Sequence, residues 1–170
     1  MSDKVYRVLF LSRRNSARSI LAEAVLNKLG KGRFVAYSAA VEPAAEIDPH
    51  VVELLASNEL PVTDMRPRHY REFAQKGAAD IDFVFTLSDT AAGEALPEWP
   101  GQPVTAHWSS PDPILATGAE WERRQAFARV LNELERRLAI FINLPLASLD
   151  RMSVKRRVDE IGETASKANS

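Results

Sequence analysis

The chain has 170 residues, a formal net charge of −1 at pH 7 and no cysteine. That length sets one domain of ordinary size with enough chain for a sizeable core, and the near-neutral charge gives no support for a general nucleic-acid or membrane surface. Absent cysteine excludes disulfides, thiolate metal sites and thiol chemistry by this chain alone. The start, Met1-Ser2-Asp3-Lys4, is polar, with neither a signal peptide nor a spanning segment in view, so a cytoplasmic location is the default expectation.

Residues 5–11 form a nearly continuous apolar run, the pattern of a strand covered on both faces. Ile20, Leu21, Ala24, Val25 and Leu29 follow at helical spacing, and Gly30 closes that helix. Residues 34–39 make a second strand-like run. Asp48-Pro49 reads as an N-cap followed by proline at the first helical position, ahead of a helix carrying Val52, Leu55 and Ala56. A helical stretch over residues 70–75 precedes the strand predicted for 81–87, and a fourth strand is predicted for 104–108. The long helix from about Ala119 carries Leu131, Leu134, Leu138 and Ile142 and ends before Pro145. Val154, Val158 and Ile161 stand at i, i+4 and i+7 and predict a short amphipathic helix. Lys155, Arg156 and Arg157 should face away from that stripe, and residues 164–170 should fray. Residues 1–145 thus read as one α/β domain, a doubly wound four-stranded parallel sheet with helices on both faces, and 146–170 as a C-terminal extension. Sheets of this kind bind ligands beyond the carboxyl ends of their strands.

The loop at that place reads Ser12-Arg13-Arg14-Asn15-Ser16-Ala17-Arg18-Ser19, with five residues between Ser12 and Arg18. Such a loop aims successive backbone N–H groups at one point, with a helix N-terminus behind and a guanidinium beside. That suits a tetrahedral anion such as phosphate, arsenate or sulfate. A helix start disfavours cations, so Arg18 requires an anionic partner there. Asn15 tolerates left-handed backbone, and the Ser16 and Ser19 hydroxyls can bond nearby amides. Ser19 suits an N-cap equally well. His50, His69 and His107 lie outside the loop, and His107-Trp108 reads as the structural end of a strand. No metal-ligand pattern or cofactor motif is present, so no metal and no cofactor are expected.

Beyond the loop come Ala22-Glu23-Ala24, Ala36-Tyr37-Ser38-Ala39, Asp82-Phe83-Val84-Phe85-Thr86, Pro100-Gly101, His107-Trp108, Asp112-Pro113 and Gly118, in that order. With these the sequence resembles the low-molecular-weight tyrosine phosphatase superfamily over roughly residues 5 to 143, most of all its thioredoxin-coupled arsenate reductase branch. The resemblance implies the strand order 2-1-3-4. It makes Ser12 the nucleophile position, Arg18 the anion-binding arginine and Asp112 the general acid toward the leaving group. It also implies that the residue matching Ser19 stabilises the nucleophile's thiolate. Glu23 and Ser38 resemble a monovalent-cation site of some arsenate reductases, where Arg68 replaces an acid. The departures bear on function. Ser12 stands where the family has its nucleophilic Cys, Ser88-Asp89 where the reductases have Cys-Asp, and Leu96-Pro97 where they have a further Cys before Pro. Ile114 and Leu115 follow Asp112-Pro113 where the phosphatases usually carry aromatic residues.

Three functional readings follow, the last being a scaffold that uses the fold to bind a partner, with the loop vestigial. In the first, residues Ser12 to Ser19 bind phosphate, arsenate or a phosphoester, free or on a phosphorylated partner, and the missing thiol leaves catalysis impaired. In the second, Ser12 is an engineered or competent nucleophile, and the chain is an active phosphomonoester or phosphotyrosine hydrolase or an arsenate reductase. A serine attacks phosphorus only with a base to activate it. An oligomeric state is not legible.

Overall fold

The computed structural model describes residues 4–14, 17–60, 66–75, 78–93, 99 and 101–168. Four parallel strands are present: β1 (Tyr6–Ser12), β2 (Phe34–Ala40), β3 (Phe83–Thr86) and β4 (Val104–His107), in the spatial order β2-β1-β3-β4. The helices are α1 (Arg18–Leu29), α2 (Pro49–Ser57), α3 (Asp89–Gly93), α4 (Glu120–Ile142) and α5 (Arg151–Ala168). Short 3₁₀ turns occupy Tyr70–Phe73, Pro113–Leu115 and Leu146–Ser148. The expected architecture and strand order are thus observed. The stretch expected as helical near residue 70 is only the first of these turns, and α3 has no signature in the apolar pattern. The third strand is shorter than residues 81–87, because pairing with β1 runs only from Val8–Phe83 to Leu11–Thr86.

Alternation along each strand divides the core. Val8, Phe10, Phe83, Phe85, Ala106 and Trp108 pack with α1, α4 and α5, whereas Leu9, Leu11, Ala39 and Val84 pack with Tyr70, Ala91 and Trp99. Both faces are covered, which is why the strand sequences are nearly all apolar. Aromatic rings fill the larger core: Phe85 stacks on Trp108 at 4.0 Å, and Phe141 of α4 meets Phe85 edge-on at 5.3 Å. Such pairs add about 0.5–1.5 kcal/mol each beyond area burial.

Helix α1 is buried from Arg18 through Leu26, so it is a central element rather than a surface helix with one apolar stripe. Leu29, assigned to that stripe, is exposed, because the chain turns away at Gly30. A Cβ at Gly30 would lie 2.8 Å from the Phe34 ring, so the turn needs glycine for close approach. In α2 the Asp48 carboxylate caps the helix by accepting from His50 N at 2.8 Å, as expected. Its buried face is Val51 and Leu55; Val52 and Ala56 are turned out, one residue off the predicted phase. In α4, Leu131, Leu134 and Leu138 are buried as expected, with Phe127, Val130 and Phe141.

Helix α5 is longer than the short helix expected and runs past Thr164 to Ala168, since residues 164–168 contain no proline or glycine to stop it. Val154, Val158 and Ile161 join the main core. The Trp108 indole N–H donates to the Val158 carbonyl at 2.9 Å. Lys155, Arg156 and Arg157 are exposed. Lys155 hydrogen-bonds the Thr105 carbonyl, so α5 lies along β4.

Candidate functional site

In the sheet register Ser12 pairs with Ala40, Leu11 with Thr86 and Thr86 with His107. The carboxyl ends of β1, β3 and β4 are therefore level, and the segments that leave them meet at one edge. Ser12, Ser88 and the 109–112 segment come from these three strand ends.

The loop after β1 is braced from outside. The N–H groups of Val41, Glu42 and Ala44 donate to the carbonyls of Ser12, Arg13 and Arg14 at 3.3, 2.9 and 2.9 Å. In a planar trans peptide the N–H points opposite to the carbonyl. The amides of Arg13 and Arg14 therefore face away from the 41–44 segment. The side chains of Arg13 and Arg14 are exposed, and Arg13 leans toward Glu42, 3.9 Å away. Unlike them, Arg18 is buried. Ala17 is the N-cap of α1, and the first turn holds no acidic residue. Asn15 and Ser16 lie outside the described residues.

Ser12 is buried at the end of β1, and its Oγ is 2.8 Å from the Ser19 Oγ. Of the two readings open for Ser19, the structure selects the contact with residue 12, since Ala17 and not Ser19 is the N-cap. Arg18 is 8% exposed, yet it carries a guanidinium. Its Nη1 donates to the Ser110 carbonyl at 3.0 Å, and its Nη2 is 3.6 Å from the Asp112 carboxylate. Burial holds the Arg18 pKa below its ordinary value, Asp112 and Asp89 pull it back up, and Arg13 opposes them. An arginine stays charged under such shifts, so Arg18 is a desolvated cation at a helix start. Asp112 also caps the Pro113–Leu115 turn by accepting from Ile114 N at 3.1 Å. Arg18 and Asp112 are brought together across 94 positions of sequence.

Each histidine is engaged away from Ser12. His107 shares hydrogen bonds with Thr86 through Nδ1 and with Asp89 through Nε2 at 2.9 Å. His50 bridges Asp48 and Glu120, and the His69 ring accepts from Arg71 N. Ser88 is buried and accepts from Ala91 N at 3.1 Å, so its hydroxyl caps α3. Leu96 and Pro97 lie outside the described residues. Ser38 Oγ–H donates to Glu23 at 2.6 Å between two buried groups, and Arg68 is half-buried beside β2, where its carbonyl accepts from Ala40 N. No cluster of three metal-ligating side chains occurs among the described residues, and no described helix is long and apolar enough to cross a membrane.

A groove of about 1030 Å³ opens beside Asp112, between the Pro111–Ala116 segment and α4. Leu115, 75% exposed, is on its rim. Sequence reasoning missed Ser110, whose carbonyl holds Arg18, and Asp89, whose charge acts on it. A backbone carbonyl leaves no trace in a residue's identity, whereas Asp89 was visible beside Ser88.

The family model for low molecular weight phosphotyrosine protein phosphatase matches residues 7–156. The chain belongs to this family. Within it, an arsenate reductase of Halalkalibacterium halodurans is 30% identical over 142 residues, covering 83% of this chain and 96% of the relative. The crystal structure of an arsenate reductase from Archaeoglobus fulgidus superposes with a TM-score of 0.65 at 30% identity, covering 81% of this chain and 99% of that one. A low molecular weight protein tyrosine phosphatase from T. tengcongensis shares the fold, with a TM-score of 0.62 at 22% identity, over 79% of this chain and 95% of that one. Membership of the phosphatase family comes here without any thiol.

Proposed function

We propose that this protein binds a tetrahedral oxyanion, namely phosphate, arsenate or a phosphoester, in the loop from Ser12 to Ser19, and that it is catalytically impaired. One observation supports the reading most: the Ser12 hydroxyl, at the position that the resemblance gives to the nucleophile, is buried and bonded to Ser19, next in the chain to the desolvated Arg18. Thiolate chemistry depends on a group that ionises near neutral pH in an electropositive loop. A hydroxyl starts far too high for the same loop to ionise it. Activation by a base is the alternative, and the three histidines are committed to Thr86 and Asp89, to Asp48 and Glu120, and to Arg71. The loop therefore retains the means to hold an anion without an efficient means to attack it.

The test is thermal. Phosphate, sulfate or arsenate should raise the melting temperature through preferential binding to the folded state, and Arg18→Ala should abolish that response. Equal shifts in both proteins reject the site. A second reading, an active phosphohydrolase or arsenate reductase, has one observation in its favour, the approach of Asp112 to Arg18 at 3.6 Å. The reductase arm needs somewhere to store two electrons, and Ser12, Ser88 and Leu96 offer no sulfur. Arsenate reduction by the purified chain with a thioredoxin system should stay at background; turnover above it would establish the second reading.

A further inference from the structure

We infer that Arg137 is a positioning residue through which α5 sets the loop carrying Asp112, and thereby the oxyanion affinity of the site. The inference takes its ligand from the oxyanion reading above. Arg137 is 2% exposed in the C-terminal third of α4. Its Nη2 lies 2.9 Å from Glu133 Oε1, donates to the Ser109 carbonyl at 2.9 Å, and reaches the Gly162 carbonyl of α5 at 3.5 Å. One nitrogen thus joins the exit of β4 to the far part of α5. The next carbonyl along the loop, that of Ser110, is held by Arg18 Nη1 at 3.0 Å. Two arginines grip adjacent peptides, one from the anion loop and one from the helices. Asp112 follows between Pro111 and Pro113. Displacement at Ser109 moves the next carbonyl, that of Ser110, on which Arg18 Nη1 is held, and with it the guanidinium that would take the anion.

The burial of Arg137 has no adequate explanation in stability. Its Nε and Nη1 are buried and lack hydrogen-bond partners among the described residues. A buried ion pair is commonly matched or exceeded in stability by apolar residues of similar volume. What apolar residues cannot supply is the grip on two carbonyls. The contact with α5 is close: a Cβ at Gly162 would lie 2.7 Å from the His107 carbonyl and 2.9 Å from Trp108 Cδ1. Glycine is what lets the helix backbone reach the end of β4 here. The family model ends at residue 156, so Gly162 lies beyond the matched segment.

The double variant Glu133→Leu/Arg137→Met removes the whole ion pair, which avoids leaving one buried charge alone. Two quantities are measured well below its melting temperature: the Kd for inorganic phosphate, and hydrogen exchange at the amides of Ser110, Leu115 and Ala116. Phosphate binding should weaken about tenfold or more, and these amides should exchange about tenfold faster, with β1 amides unchanged. Arg137→Lys keeps the charge beside Glu133 without the planar fork, and its affinity should lie between those of the parent and the double variant. Should the double variant not fold, the lysine variant decides. Parental affinity and exchange in a folded variant overturn the inference. So does weaker binding without faster exchange, because the loss would then not pass through the loop, and so does faster exchange at unchanged affinity. A parent chain that binds no phosphate removes the oxyanion reading instead, and unchanged exchange in the variants would then separately overturn the brace.

Discussion

A thiol and a hydroxyl are nearly the same size, but a free cysteine titrates at about 8.5 and serine does not titrate in water's working range. On the reading proposed above, that difference at residue 12 separates binding from attack. On the same reading, the groups that a reaction at phosphorus would use are Ser19, 2.8 Å from Ser12, Arg18 at the helix start, and Asp112, 3.6 Å from Arg18. Ser12→Cys should therefore raise hydrolysis of an activated aryl phosphate well above the parent chain. Asp112→Ala in that background should lower kcat again, by up to the roughly 10²–10⁴-fold that general acid catalysis contributes, and less for a leaving group that hardly needs a proton. The pH dependence of kcat in the three proteins is the measurement. A cysteine variant that binds phosphate and stays inert would show that the loop has lost catalytic geometry along with its thiol. A parent as fast as the cysteine variant would establish Ser12 as a competent nucleophile.

Among the elements, α2 and α4 meet at one histidine. His50, in the first turn of α2, is 3.0 Å from Asp48, 2.8 Å from Glu120 at the start of α4, and stacked on Phe127 at 4.9 Å. Arg124 and Arg123 also approach Glu120, and Arg124 approaches Glu53. The hydrogen bond with Glu120 raises the His50 pKa above its ordinary 6.5, desolvation opposes this, and Asp48 adds to it. A histidine with a raised folded-state pKa contributes stability that is full below its unfolded value and lost as pH rises through the folded value. The urea midpoint should accordingly fall between about pH 6.5 and the raised pKa, and His50→Gln should flatten that portion of the profile. The same decline in both proteins would remove His50 as its cause. The contact bears on the candidate site because α2 follows the 41–44 segment that braces the loop after β1, and α4 follows the turn that Asp112 caps.

At the scale of the molecule, α5 shares one core with the sheet. Trp108 stacks on Phe85, meets Phe141 at 6.0 Å and donates to Val158 of α5. Its environment therefore reports on sheet, α4 and α5 together. In a Trp99→Phe/Trp121→Phe background, denaturation followed by Trp108 fluorescence should coincide with that followed by far-ultraviolet circular dichroism, as expected for a single cooperative unit. An earlier fluorescence transition would mean that α5 detaches before the sheet unfolds.

Local chemistry was readable from the chain alone. The apolar runs announced buried parallel strands because a strand covered on both faces needs apolar residues at every position. Ser12, Arg18 and the absence of thiols were legible because the loop after β1 is one short segment and residue identity can be read without the fold. Phase was harder: Val51 rather than Val52 is buried, since adjacent valines fit either side of a helix equally well. The pairing of Arg18 with Asp112 came from the resemblance, not from spacing, because 94 positions separate the two. Only the folded chain could reveal that Arg18 holds Ser110, that Arg137 holds Ser109 and reaches Gly162, and that His50 joins Asp48 to Glu120. These contacts run largely through backbone carbonyls, which every residue possesses, or join positions tens of residues apart. Sequence determined which groups are available for the chemistry, and tertiary structure decided which of them share a desolvated space, where a charge must find a partner or a ligand.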